Sequence, residues 1–362
     1  MTSSDFLGIT EEDIIFQSLK GFFGHLKSVN LDDEDNLKVI GSVSDFDNTG
    51  DFVDSLQSHF TLGQQAGRIW TASAQVSANE ERVPYYIYVD NTFPIFFTTG
   101  TLTKEIPPTL NDYLLSNTDM SRMWIAKRQL ERLRKSLVGE HSNILIPFFT
   151  GRRTKNVQIP AQRRGDVDRT IVYYGDDGLE TFREMKHQYG VLPTNIDFEL
   201  PGRFKFRIKE NGIFTLQDGG IDEVHFLLDE TKSHLRRIKD AIDTSKYGTE
   251  RSRLLERDIP YSEPWEIGLE SGLDEGDVSN FANNIDKEDH DLTVTEFSPS
   301  YSPIGFSAEI VDTENFARAD LRSAQDRIRI YPRDTTDIDQ NIRLYNFVDD
   351  FIDPNCTPIP VQ

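Results

Sequence analysis

Cysteine occurs once in this chain of 362 residues, at Cys356. A lone thiol excludes both a disulfide framework and a thiolate-ligated metal cluster. Long apolar runs are missing too, none reaching the roughly 18 residues that a membrane-spanning helix needs. No basic stretch followed by an apolar one opens MTSSDFLGITEED, so the expectation is no signal peptide and a cytoplasmic protein. Positive charge is scarce: 39 Lys and Arg stand against 61 Asp and Glu, a formal charge of −22. That balance argues against general nucleic-acid or anionic-membrane binding, which needs a basic footprint. The seven histidines show no H-x-x-x-H spacing, which speaks against a zinc site. Neither G-x-x-x-x-G-K-[ST] nor G-x-S-x-G occurs, so P-loop and serine-hydrolase chemistry lack their motifs.

What is present suffices for a globular core. Hydrophobic residues make up 37% and aromatics 11%, enough for one large domain or two. Arg (25) exceeds Lys (14) and Asp is abundant, the balance of a protein from a salt-loving archaeon whose hydrated acidic surface keeps it soluble. Net charge then reports habitat rather than partner.

Apolar spacing predicts helices after Thr10, over Asp119–Val138, over Leu179–Gln188 and from Ile221 to about Ile242. Strands are expected at Leu37–Ser44, Arg68–Ser77, Tyr85–Val89, Pro94–Thr98, Asn143–Phe149, Asn195–Leu200, Arg203–Lys209 and Ile213–Leu216. Residues 244–300 are acidic and weakly periodic, which reads as a linker-like segment. Residues 301–362 recover short elements, with helices near Phe316–Ala324 and Ile338–Ile352, as a small C-terminal α+β extension.

The run Arg169–Gly178, RTIVYYGDDG, stands out. Ile171–Tyr174 is a short apolar stretch closed by Gly175, the pattern of a strand buried on both faces. Asp176 and Asp177 follow at its carboxyl end, where open α/β sheets bind ligands. Adjacent carboxylates repel unless a cation or a shared proton relieves them.

Asp45-Phe46-Asp47-Asn48-Thr49 gives D-x-D-x-T after a strand. SDFDNT resembles the first motif of the haloacid dehalogenase superfamily, in its sugar-phosphatase branch. Thr150-Gly151-Arg152 resembles that branch's second motif, with Phe96–Gly100 as a competing match. YYGDDGLETF is similar to its fourth motif, and GIFTLQDGGIDEVHFLL resembles the closing strand and helix of trehalose-phosphate phosphatases. The resemblance implies an α/β fold, with a Rossmann-like core over 1–50 and 119–243 and an inserted cap-like α+β region over 51–118. It further implies a Mg²⁺-dependent phosphohydrolase acting on a small phosphate ester. Asp45 would be the nucleophile and Asp47 the general acid–base. Thr150, Gly151, Arg152 and Lys155 would hold the phosphate, and Asp45, Asp176 and Asp177 the Mg²⁺.

A rival reading belongs to another class. Arg203, Lys205, Arg207 and Lys209 alternate with Phe204, Phe206 and Ile208, giving one basic and one apolar strand face. A non-catalytic regulatory or assembly protein of a haloarchaeon, its virus or a mobile element would bind a protein or nucleic-acid partner through such a face.

Overall fold

The computed structural model describes residues 7, 14–29, 36–76, 81–154, 159–251, 257–286, 291–333 and 336–360. Helix α1 (Leu19–Leu26), strand β1 (Leu37–Ser44) and α2 (Thr49–Leu56) precede a meander of β2 (Phe60–Ala66), β3 (Ile69–Gln75), β4 (Arg82–Tyr88) and β5 (Ile95–Thr98). A π-helical turn at Pro107–Asn111 runs into α3 (Asp112–Leu115), and β6 (Met120–Arg122) leads to α4 (Lys127–Glu140). Then come β7 (Leu145–Arg153), β8 (Arg169–Tyr174), α5 (Gly178–Tyr189), β9 (Leu192–Leu200), β10 (Phe204–Lys209), β11 (Ile213–Gly219) and α6 (Ile221–Ile242). The rest is β12 (Lys246–Arg251), β13 (Asp258–Glu263), β14 (Trp265–Gly268), α7 (Glu275–Asn284), β15 (Leu292–Tyr301), β16 (Ile304–Asp312), β17 (Arg318–Ala324), β18 (Arg327–Pro332), α8 (Ile338–Phe351) and β19 (Thr357–Ile359).

Strands β2-β3-β4-β5-β1-β11-β10-β9-β7-β8 lie side by side in an 11-stranded sheet, with β6 added to β1. A six-stranded sheet has the order β15-β16-β17-β18-β14-β19, and β12 and β13 form a hairpin. Adjacent strands throughout the larger sheet run antiparallel. This corrects the expected α/β Rossmann-like core. Alternating helices and strands in a sequence do not fix strand direction, and the short turns joining β2 to β5 and β9 to β11 connect only antiparallel neighbours.

Strand β1 is buried at all eight positions because both of its faces are covered. Val39 and Val43 pack in one apolar cluster with Phe22 and Phe23 of α1 and Leu227 and Leu228 of α6. Ile40, on the opposite face, joins Phe52 and Leu56 of α2 and Tyr113 of α3. Residues 51–118, expected as an inserted cap-like α+β region, extend the same sheet, since β5 is hydrogen-bonded to β1 over Lys38–Gly41.

Helix α8 joins the two sheets, and all fourteen of its residues are buried. Phe347 and Phe351 pack in the same cluster as Phe281 of α7 and Ile330 of β18. Several of its polar residues are paired as well. Asp339 accepts bonds from Ser121 Oγ and Trp124 Nε1, both at 2.8 Å. Asn341 accepts one from Trp265 Nε1 at 2.7 Å, and Arg343 pairs with Asp339 and Asp312. Asp350 receives the backbone N–H groups of Lys127 and Arg128 at 3.1 and 3.2 Å. Those are orphan donors of α4, whose own N-cap residue, Ala126, has no side-chain acceptor.

Three local expectations are corrected. The helix read over Asp119–Val138 starts only at Lys127, because Met120–Arg122 pairs with Ser42–Ser44 of β1 and tertiary pairing overrides local spacing. Residues 318–324 form a strand between β16 and β18 rather than a helix. The segment expected as a linker, 244–300, carries β12–β14, α7 and most of β15, with Trp265 wholly buried. Among the described residues, no helix is long and apolar enough to cross a membrane.

Candidate functional site: a polar cavity between helices α4, α6 and α8

The residues expected to form a metal and phosphate site are dispersed. Asp45 leaves the carboxyl end of β1, and Asp176 leaves the carboxyl end of β8. Five antiparallel pairings separate these strands, so the two ends lie at opposite edges of the sheet. Five strand spacings also put them about 24 Å apart across it. Among the described residues, no group of three or more His, Cys, Asp or Glu converges to hold a metal ion. Thr150, Gly151 and Arg152 lie inside β7 rather than in a loop after it, and Lys155 lies outside the described residues.

Each half of the motif set has a local structural role. Asp45 Oδ1 pairs with Lys239 Nζ of α6 at 2.5 Å, and Lys239 also reaches Asp243 at 2.7 Å. Burial pulls the Lys239 pKa down, but the Asp243 and Asp45 carboxylates together hold it above its ordinary value. Asp47 is exposed, and Asn48 caps α2 by accepting the Asp51 N–H at 3.0 Å. At the other end, Asp176 and Asp177 are exposed, and the Tyr173 hydroxyl donates to Asp177, holding its carboxyl below the usual range. Gly178 is required because a Cβ there would stand 1.9 Å from the Ile146 carbonyl oxygen of β7.

The basic face of β10 is largely neutralised. Arg207 makes a two-pronged pair with Asp197, at 2.5 and 2.8 Å, and lies over the Phe148 ring; Lys205 pairs with Glu199 at 3.0 Å.

Another region assembles titratable groups. Between α4 and α6 on one side and α8 and the β19 approach on the other lies a cavity of about 1100 Å³. Its wall includes Gln129, Arg132, His234, Arg237, Tyr345, Asp349 and Cys356. Arg237 Nη2 lies 3.3 Å from His234 Nδ1. A guanidinium only donates, so Nδ1 is the acceptor and the neutral ring carries its proton on Nε2. Burial, then the charges of Arg132 and Arg237, push the His234 pKa down to about 3. Its Nε2 is sealed from solvent and has no hydrogen-bond partner.

Asp349 is the counterpart. Burial and the neighbouring Asp350 raise its pKa to about 7, with Arg132 and Arg128 opposing. Its Oδ1 is 3.9 Å from Arg132 Nη2, while its Oδ2 is buried without a partner. Cys356 sits against Asp349 and Tyr345, and burial first, then Asp349, pushes its thiol up, so it is no ready nucleophile. The cavity therefore gathers a neutral imidazole, a carboxyl that titrates near neutrality, two guanidinium groups, and Glu230 and Glu270 on its wall. Its two guanidinium groups are the donors that suit an oxygen acceptor.

Fold and cavity define a class: a protein of antiparallel sheets with a polar cavity enclosed by α4, α6, α8 and the β19 approach. Residues 128–211 match a protein-family model described as a family middle domain. An uncharacterized protein from Archaeoglobus fulgidus is 27% identical over 330 residues, covering 88% of this chain and 89% of that one. No solved structure matches. The matches carry no haloacid dehalogenase family, and the antiparallel sheet is incompatible with that family's core. The resemblance of SDFDNT and YYGDDG is therefore corrected to two unconnected turns, and the hydrolase and phosphatase expectations resting on it lose their support.

Proposed function

We propose that the chain is a non-catalytic, regulatory binding protein that takes a small hydroxylated carboxylate in the cavity between α4, α6 and α8. The observation that carries this reading is the pair of sealed, unpartnered polar atoms in one cavity wall, His234 Nε2 and Asp349 Oδ2. Such atoms cost roughly 1–3 kcal/mol each when left unmet. A carboxylate suits Arg132 and Arg237, whose planar forks match its two oxygens. Both atoms are sealed in the unliganded wall, so a neighbouring hydroxyl reaches them, accepting from His234 Nε2–H and donating to Asp349, only as the His234 and Asp349 side chains turn toward the cavity. The cavity is walled by α4, α6, α8 and the β19 approach, so occupancy would favour one arrangement of α8 against α4 and α6.

The test is a set of thermal melts with glycolate and with acetate, at constant ionic strength in strong salt and pH 6.5. A ligand at a hundredfold its Kd adds roughly 2.7 kcal/mol to the native state. Glycolate should raise Tm more than acetate, and Arg237→Ala should remove most of that difference. Equal shifts from both anions, unchanged in Arg237→Ala, would mean screening alone and would sink the reading.

A further inference from the structure

A second cavity, of about 900 Å³, lies on the other side of α4 and shares no wall residue with the first. It lies between α4, α5 and the segment Ile159–Gln162. Four cationic side chains border it, Arg134, Lys135, Arg183 and Lys186, against one carboxylate, Glu131. That is an excess of three positive charges on one cavity, in a chain whose net charge is −22.

Glu131 organises the cations without cancelling them. It is 3% exposed, is gripped by Arg134 at 2.6 and 2.9 Å, and meets Lys186 Nζ at 2.7 Å. Burial alone would raise its pKa, but Arg134 and Lys186 more than offset this, so it stays ionised. Lys135 is 3.9 Å away and Arg183 is exposed, and among the described residues Arg183 pairs with no carboxylate. Val138, Ile159, Pro160 and Ala161 give the cavity an apolar wall beside these charges.

The geometry points to a binding site for a phosphate monoester with a flat apolar body, of about the size of a nucleoside monophosphate. A dianion answers an excess of three charges better than a monoanion does. Lys135 and Arg183 supply mobile donors above the fixed Glu131–Arg134–Lys186 cluster. The apolar wall takes the organic group, and a cavity of this volume suits a ligand of that size.

Isothermal titration of the full chain tests this, with phenyl phosphate, phenol and inorganic phosphate as probes at pH 7.5 and fixed ionic strength. Phenyl phosphate should bind at least tenfold more tightly than either fragment. Lys135→Glu with Arg183→Glu, both at exposed positions, should weaken it at least tenfold. Lys20→Glu on α1 with Lys27→Glu just after it makes the same change in net charge away from the cavity and should weaken it less than threefold. Equal weakening by the two double variants would mean that only net charge matters. Phenyl phosphate binding no tighter than phenol would remove the phosphate contact. Either result overturns the proposal.

Discussion

Asp350 should prove to be the joint between the two sheets, because it caps a helix to which it does not belong. Its Oδ2 and Oδ1 accept the first backbone N–H groups of α4, at Lys127 and Arg128, and the side chain is 4% exposed. Removing a cap costs about 1 kcal/mol and up to about 2. Leaving a buried N–H unmet costs about 1–3 kcal/mol. Against this, burial and then Lys127 and the two N–H groups act in opposite senses on the carboxyl, with burial the stronger, so the native structure also carries a desolvation cost that deletion relieves. Asp350→Ala should therefore destabilise by about 2 kcal/mol net. Asp350→Asn keeps one acceptor oxygen and should lose about half as much. Urea unfolding in strong salt measures both, and amide exchange should show Lys127 and Arg128 losing protection first. A loss under about 0.5 kcal/mol for the alanine variant, or a larger loss for asparagine than for alanine, would refute cross-sheet capping.

Arg207→Ala strands the Asp197 carboxylate, which is 4% exposed, and should cost about 2 kcal/mol in denaturant unfolding. Lys205→Ala breaks only a solvated pair and should stay within about 0.5 kcal/mol; similar losses would show the β10 face to be uniformly exposed. Stability should fall as pH rises. Glu210, Asp337 and Asp349 are each raised to about 7, mainly by burial, so the native state holds protons that the unfolded chain releases. Their contribution is complete below about pH 4 and is lost as pH climbs to 7, at about 1.4 kcal/mol per pH unit for each group. A urea midpoint that is flat or rises between pH 5 and 7 would contradict those burials. Asp45→Ala should cost about 1 kcal/mol, since Lys239 keeps Asp243, whereas Asp177→Ala, at an exposed turn, should be silent in thermal melts.

Much of the local structure was legible in the sequence. Spacing over Ile221–Ile242 matches α6 at both ends, and β10 shows the alternation read from Phe204, Phe206 and Ile208. Direction was not legible. RTIVYY reads as a strand covered on both faces, yet β8 is an edge strand whose Val172 and Tyr174 are 57% and 75% exposed while Ile171 and Tyr173 pack inward. An apolar run records that a strand forms, and position in the sheet is decided by partners far along the chain. The cavity was hidden for a similar reason. Arg132, His234 and Arg237 occupy polar faces of two helices, and only tertiary packing brings them together. One signal was available: Asp349-Asp350 sits within NFVDDFI, where acids amid apolar residues in a helix mark buried carboxylates.

Nitrogen-15 NMR of the histidine rings tests the cavity account most directly. Seven rings are present, and His234 should stay neutral, with its proton on Nε2, from pH 8 down to pH 5. Adding glycolate should move the His234 Nε2 resonance and leave the other six unchanged. A His234 ring that titrates near the ordinary value of about 6.5 and ignores glycolate would contradict both the sealed donor and the binding site built on it.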